Sequence, residues 1–178
     1  MKNVLLRRDG ITIWIGLIAM AFLLGFAALA VDLGALYLAR QQLQSATNAA
    51  ALAGVAELRH AYDPLNRDID TAAAILAITE TAAANRCLGD PVELNAATDI
   101  EIGTYDASTN DIVAWDPTIG TVGVRVRAQR VLPTWFAFSL GIREVTISAE
   151  PAVATLDPQN LASYDPQNPT PGFVLKPR

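Results

Sequence analysis

Few residues in this chain are of the types that do chemistry, and their spacing restricts what they can do. His60 is the only histidine among 178 residues, so a histidine-based triad cannot be completed and a histidine-rich metal site cannot be built. Near the end of a helical stretch it reads as a capping or solvated residue. Cys87 is the only cysteine, which leaves no intramolecular disulfide; its thiol is either a small buried apolar group or an intermolecular pairing point. Asp106-Ala107-Ser108-Thr109-Asn110-Asp111 gathers several oxygen ligands, the one hint of calcium. It lacks the spacing and closing glutamate of an EF-hand loop and reads as a polar hairpin turn. Tyr62-Asp63, Asp68 and Asp70 form a second acidic cluster, read as a loop followed by a helix cap. There is no glycine-rich phosphate loop. The expectation is a non-enzyme with no catalytic residues, no cofactor and no metal. An excess of 18 Asp and Glu over 13 Lys and Arg disfavours nucleic acid and anionic lipid as partners of the exported part.

The elements that carry these residues are dominated by one stretch. Residues 11–31, ITIWIGLIAMAFLLGFAALAV, hold no charge. Twenty-one residues at about 1.5 Å rise each match the hydrocarbon thickness of a bilayer. Lys2, Arg7 and Arg8 precede the run, and Asp32 and Leu33 follow it, so the positive-inside rule predicts a cytoplasmic N-terminus and an exported remainder. Ala28-Leu29-Ala30 has the small-x-small form of a signal cleavage site, but the run is longer than a signal h-region, which favours a retained anchor. Residues 1–10 are then a basic cytoplasmic leader, 11–31 a transmembrane segment, and the bilayer a partner.

Helical patterning continues beyond Asp32. Residues 33–59 contain no proline, and Leu36, Ala39, Leu43, Ala46, Ala50 and Ala53 recur at three- and four-residue steps, forming a packing stripe. Its alanines permit close approach by a sheet of the same domain or by neighbouring copies of the same helix. Pro64 breaks the pattern. Asp68 or Asp70 caps a second helix whose apolar side is read as Ile69, Ala72, Ala73, Leu76 and Ala83, and Leu88-Gly89-Asp90-Pro91 stops it. Residues 32–90 are thus extracytoplasmic helices.

From Pro91 the period becomes two. Residues 99–105, 112–115, 123–131 and 144–155 each read as a strand, and 134–140 (TWFAFSL) as a short helix or an interfacial loop. Residues 91–156 therefore form an antiparallel sheet region of about four strands, an α+β arrangement. Residues 157–178 repeat DPQN and hold half of the ten prolines, a composition read as a flexible tail or as an arm that orders on a neighbour.

Several stretches resemble the TadE/TadG-like proteins of the Flp-type (tight-adherence) pilus system. They are Arg7-Arg8-Asp9-Gly10 before the apolar run, Gly25-Phe26-Ala27-Ala28-Leu29-Ala30-Val31-Asp32-Leu33-Gly34, Leu38-Ala39-Arg40, Leu43-Gln44 and Ala49 to Gly54. Val124 to Arg127, Trp135-Phe136-Ala137 and Val145 to Ala149 are similar to the sheet region of TadG-like chains. The resemblance implies a pilin-like fold: one long helix, transmembrane at its start, continuing into a domain of helices and a small antiparallel sheet. It implies a bacterial inner-membrane location with the domain periplasmic or, in a filament, at the cell surface. A prepilin peptidase would cut between Gly10 and Ile11. Ile15 stands where prepilins usually carry a glutamate, which favours a permanently anchored TadG-like component of pilus assembly. The partners implied are the assembly machinery, other pilin-like subunits or copies of the chain itself. The alternatives are a subunit that polymerises through its N-terminal helix and an anchored extracytoplasmic binding module.

Overall fold

The computed structural model describes residues 5–61, 69–109, 111–116, 121–156 and 173–175. The chain opens with α1 (Leu5–Ala61), 57 residues without a proline. Between Ile11 and Ala56 its only charges are Asp32 and Arg40. Helix α2 (Thr71–Ala84) follows, then strands β1 (Arg86–Cys87), β2 (Asp90–Pro91), β3 (Ile100–Asp106), β4 (Asp111–Val113), β5 (Val122–Val126) and β6 (Gln129–Pro133). A short 3-10 helix (Ala137–Leu140) precedes β7 (Glu144–Ser148), β8 (Ala152–Leu156) and β9 (Phe173–Leu175). This is the expected α+β class, with a long apolar helix first.

Helix α2 starts where Asp70 caps it, Oδ1 accepting the N–H groups of Ala72 at 3.0 Å and Ala73 at 3.2 Å. Asp68 lies outside the described residues. The buried face of α2 is Ala74, Ile78 and Ala82, and the expected Ala72, Leu76 and Ala83 are exposed. An alanine-rich helix offers apolar groups on more than one side, so bulk decides. Ile78 fits where α1 carries Gly54: a Cβ built there would stand 2.6 Å from the Ile78 side chain. The stop signal after α2 forms a hairpin instead. Leu88 (φ 51°) and Gly89 (φ 98°) both take left-handed backbone to turn β1 into β2, a conformation that favours glycine at the second position.

The main sheet has five strands in the order β4-β3-β5-β8-β9, antiparallel throughout. Its central strands β5 and β8 are buried at every residue. Two stretches expected as single strands are each divided. The 123–131 stretch breaks between β5 and β6, and the 144–155 stretch breaks between β7 and β8. Pro151, which has no N–H for the ladder, stands in the second gap. Across the two gaps Ala149 N–H still donates to the Ala128 carbonyl at 2.9 Å. Beyond them β6 and β7 pair as a separate two-stranded ribbon. Within the stretch read as a tail, Phe173–Leu175 forms β9, paired with β8; residues 157–172 lie outside the described residues.

The chain divides into two compact units, Met1–Tyr37 with Val131–Thr146, and Leu38–Arg130 with Ile147–Arg178.

Candidate functional site

The surfaces of α1 are the candidate site. From Ile11 to Val31 every side chain is exposed except that of Ala28, which is half-buried. Ile11, Trp14, Ile15, Phe22, Leu24 and Phe26 are all large apolar groups turned outward. The helix is long and apolar enough to cross a membrane. The Gly10–Ile11 peptide lies inside α1, which begins at Leu5.

Asp32 ends this stretch and is the residue whose role local patterning did not reveal. It is 6% exposed. Its Oδ1 accepts the backbone N–H groups of Trp135 at 3.1 Å and Phe136 at 3.3 Å, and its Oδ2 accepts those of Phe136 at 3.0 Å and Ala137 at 2.7 Å. These donors open the 3-10 helix, which has no capping side chain of its own. The first N–H groups of any helix lack an internal partner. Here a carboxylate more than a hundred residues earlier in the chain supplies one, and the same bonds compensate its charge.

In the other unit, α1 presents its small residues to protein. Ala39, Leu43, Ala46 and Ala50 of the expected stripe are buried, whereas Leu36 and Ala53 are half-buried. Thr47, Ala51, Gly54, Val55 and Leu58 complete the buried face. They could have been read from the same three- and four-residue steps carried one position further round the helix. Polar groups fix the register along this face. Gln44 donates from Nε2 to the Glu150 carbonyl at 3.1 Å and accepts from the Glu150 N–H at 2.7 Å. Gln42 Oε1 accepts from Leu88 N–H at 2.8 Å.

Cys87 is fully buried, its thiol directed at the Ala39 carbonyl 3.5 Å away. Burial pushes the thiol up from its ordinary range, with the Arg130 guanidinium opposing. An intermolecular disulfide would require this region to open. The Asp106–Asp111 carboxylates are engaged within the sheet. Asp106 accepts from the Ser108 N–H at 2.8 Å and its hydroxyl at 2.7 Å, and Asp111 pairs with Arg125 at 2.6 Å. Arg125, 7% exposed, also reaches Glu101 at 2.8 Å, which in turn holds Arg127 at 2.6 Å. Among the described residues no group of three His, Cys, Asp or Glu side chains could hold a metal ion.

Comparison with known proteins agrees with the reading of α1. Residues 10–57 match the model of the Tad family, described as Flp pilus-assembly TadE/G-like. No curated protein and no solved structure matches the chain. The match takes in the apolar stretch, Asp32 and nearly all of the buried stripe, so the two surfaces of α1 fall inside one family segment. Over residues 10–57 the chain is similar to the TadE/G-like family of Flp pilus assembly.

Proposed function

We propose that the chain is a non-catalytic, membrane-anchored component of Flp-type pilus assembly, TadG-like in role. Residues 11–31 hold it in the bacterial inner membrane with the N-terminus cytoplasmic, and the sheet-bearing domain faces the periplasm. There it engages the assembly machinery or other pilin-like subunits. The observation that carries this reading is a family-matched helix whose first half turns large apolar groups outward from Ile11 to Val31. Such a surface needs lipid or other helices to cover it. Ile15, standing where prepilins usually carry a glutamate, favours a permanent anchor over polymerisation.

The test is the intact mass and N-terminal residue of the protein recovered from its native envelope. A chain starting at Met1 supports the permanent anchor. A start at Ile11 means processing after Gly10 and shifts the reading to a filament subunit. A start near Val31 removes the anchor and overturns both.

A further inference from the structure

We propose that the tip of the β6–β7 ribbon, residues 134–143, is a second membrane-contacting element, dipping into the phospholipid leaflet beside the 11–31 helix. This rests on the reading that residues 11–31 span the bilayer.

The first argument is depth. Leu140 lines an open apolar groove of about 400 Å³ together with Ala21, Phe22, Gly25, Phe26 and Leu29. Leu29 and Ala21 precede Asp32 by three and eleven residues, so they sit roughly 5 and 16 Å further along the helix axis. If Asp32 marks the edge of the hydrocarbon, a side chain bordering that stretch shares its depth. The second argument is composition. From Thr134 to Ile142 there is no charge, and Trp135 (70% exposed), Phe136, Phe138, Leu140 (78%) and Ile142 all turn outward. An apolar patch of this kind facing water would be a liability.

The third argument is the backbone, because polar groups left unpaired in lipid cost several kcal/mol each. Asp32 takes the N–H groups of Trp135, Phe136 and Ala137. Ser139 N–H donates to the Phe136 carbonyl, Gly141 to Phe138, Ile142 to Ala137 and Thr134 to Arg143. The hydroxyls are also used, Ser139 Oγ bonding the Phe136 carbonyl and Thr134 Oγ the Ile142 carbonyl. These N–H groups and both hydroxyls of the tip thus have partners within the protein, as a lipid-exposed element requires. Arg143, exposed at its edge, can keep its guanidinium among phosphates while its stem stays apolar. Lipid is favoured over a second copy because the tip is continuous with the very helix surface that the bilayer covers.

The test uses tryptophan fluorescence of the full chain in phosphatidylcholine vesicles carrying brominated acyl chains. In a W14F/W115F variant Trp135 is the sole fluorophore; in a W115F/W135F variant Trp14 is. Trp135 emission is expected to be blue-shifted and quenched roughly two-fold or more, as for a group at the headgroup–acyl boundary, independent of the protein-to-lipid ratio. Quenched Trp14 with unquenched Trp135 overturns the proposal and leaves the anchor standing. If neither is quenched, the anchor reading falls and takes the proposal with it. Quenching of Trp135 that disappears as protein density rises assigns the tip to a second copy and overturns the lipid assignment. Placing L140D in the sole-Trp135 background is expected to move Trp135 emission toward that of water; an unmoved spectrum also overturns it.

Discussion

The two halves of α1 differ in the size of their apolar residues, and the difference tracks their burial within the protein. Residues 11–31 are rich in isoleucine, leucine and phenylalanine, and all but Ala28 are exposed. Residues 39–58 bury a face made largely of alanine, with Gly54 at its closest approach to Ile78. Large side chains stand where no fixed protein wall approaches the helix. Small ones serve where a fixed protein surface must come close, because interiors are packed to crystal-like density. One continuous helix thus uses two vocabularies of hydrophobicity, and average hydropathy alone would not separate them.

Substitutions that attack one half and spare the other sharpen this contrast. The largest effect is expected for Leu43→Ala, which removes a fully buried side chain: denaturant unfolding in detergent should show a loss of about 2–5 kcal/mol, with membrane retention unchanged. Met20→Arg should do the reverse, costing roughly 2.5–3.5 kcal/mol of insertion near the span's centre, read as chain released by carbonate extraction. Unfolding of its sheet-bearing unit should be unaffected. Asp70→Ala removes a helix cap that lies in the domain alone and should lower its stability by about 1 kcal/mol.

The smallest effect is a pH dependence. Hydrogen bonding to the Arg125 side chain, with help from the Ile112 N–H, holds the Asp111 carboxyl below its ordinary value of 3.8. A depressed folded-state value means that the contribution is complete above the ordinary value and is lost as pH falls through the lower folded one. Urea titrations below about pH 4 should show a component that Asp111→Asn abolishes. Because Asp111 is half exposed, the component should be modest.

Legibility followed the range of the interactions. Helix α1 was readable because its determinants are local: no proline, many apolar or small residues, and between Ile11 and Ala56 only the two charges of Asp32 and Arg40. Part of the α2 face was misread, Ile69 being buried and Ala73 half-buried as expected, because Ala72 and Leu76 are as apolar as Ala74 and Ile78, and the choice depends on Gly54 some twenty residues earlier. Alternation carried the strand readings straight through Arg127–Ala128 and through 149–151, although Pro151 was a visible reason to break the second. β9 was hidden by the prolines on both sides of Phe173–Leu175. The least legible feature was Asp32, whose partners lie at Trp135, Phe136 and Ala137; as a sequence position it showed only where an apolar run stops.

That same separation sets an order in time. Asp32 is synthesised long before the three amides it will bind, and closing contacts across 103 to 105 residues is slow compared with growing a helix. The 3-10 helix has no cap of its own, so it gains its first partners only when the ribbon returns to α1. Seating the tip is therefore a late step in folding. Until it occurs, the chain carries an apolar loop with open amides, the state in which it is most exposed to proteases and to wrong partners.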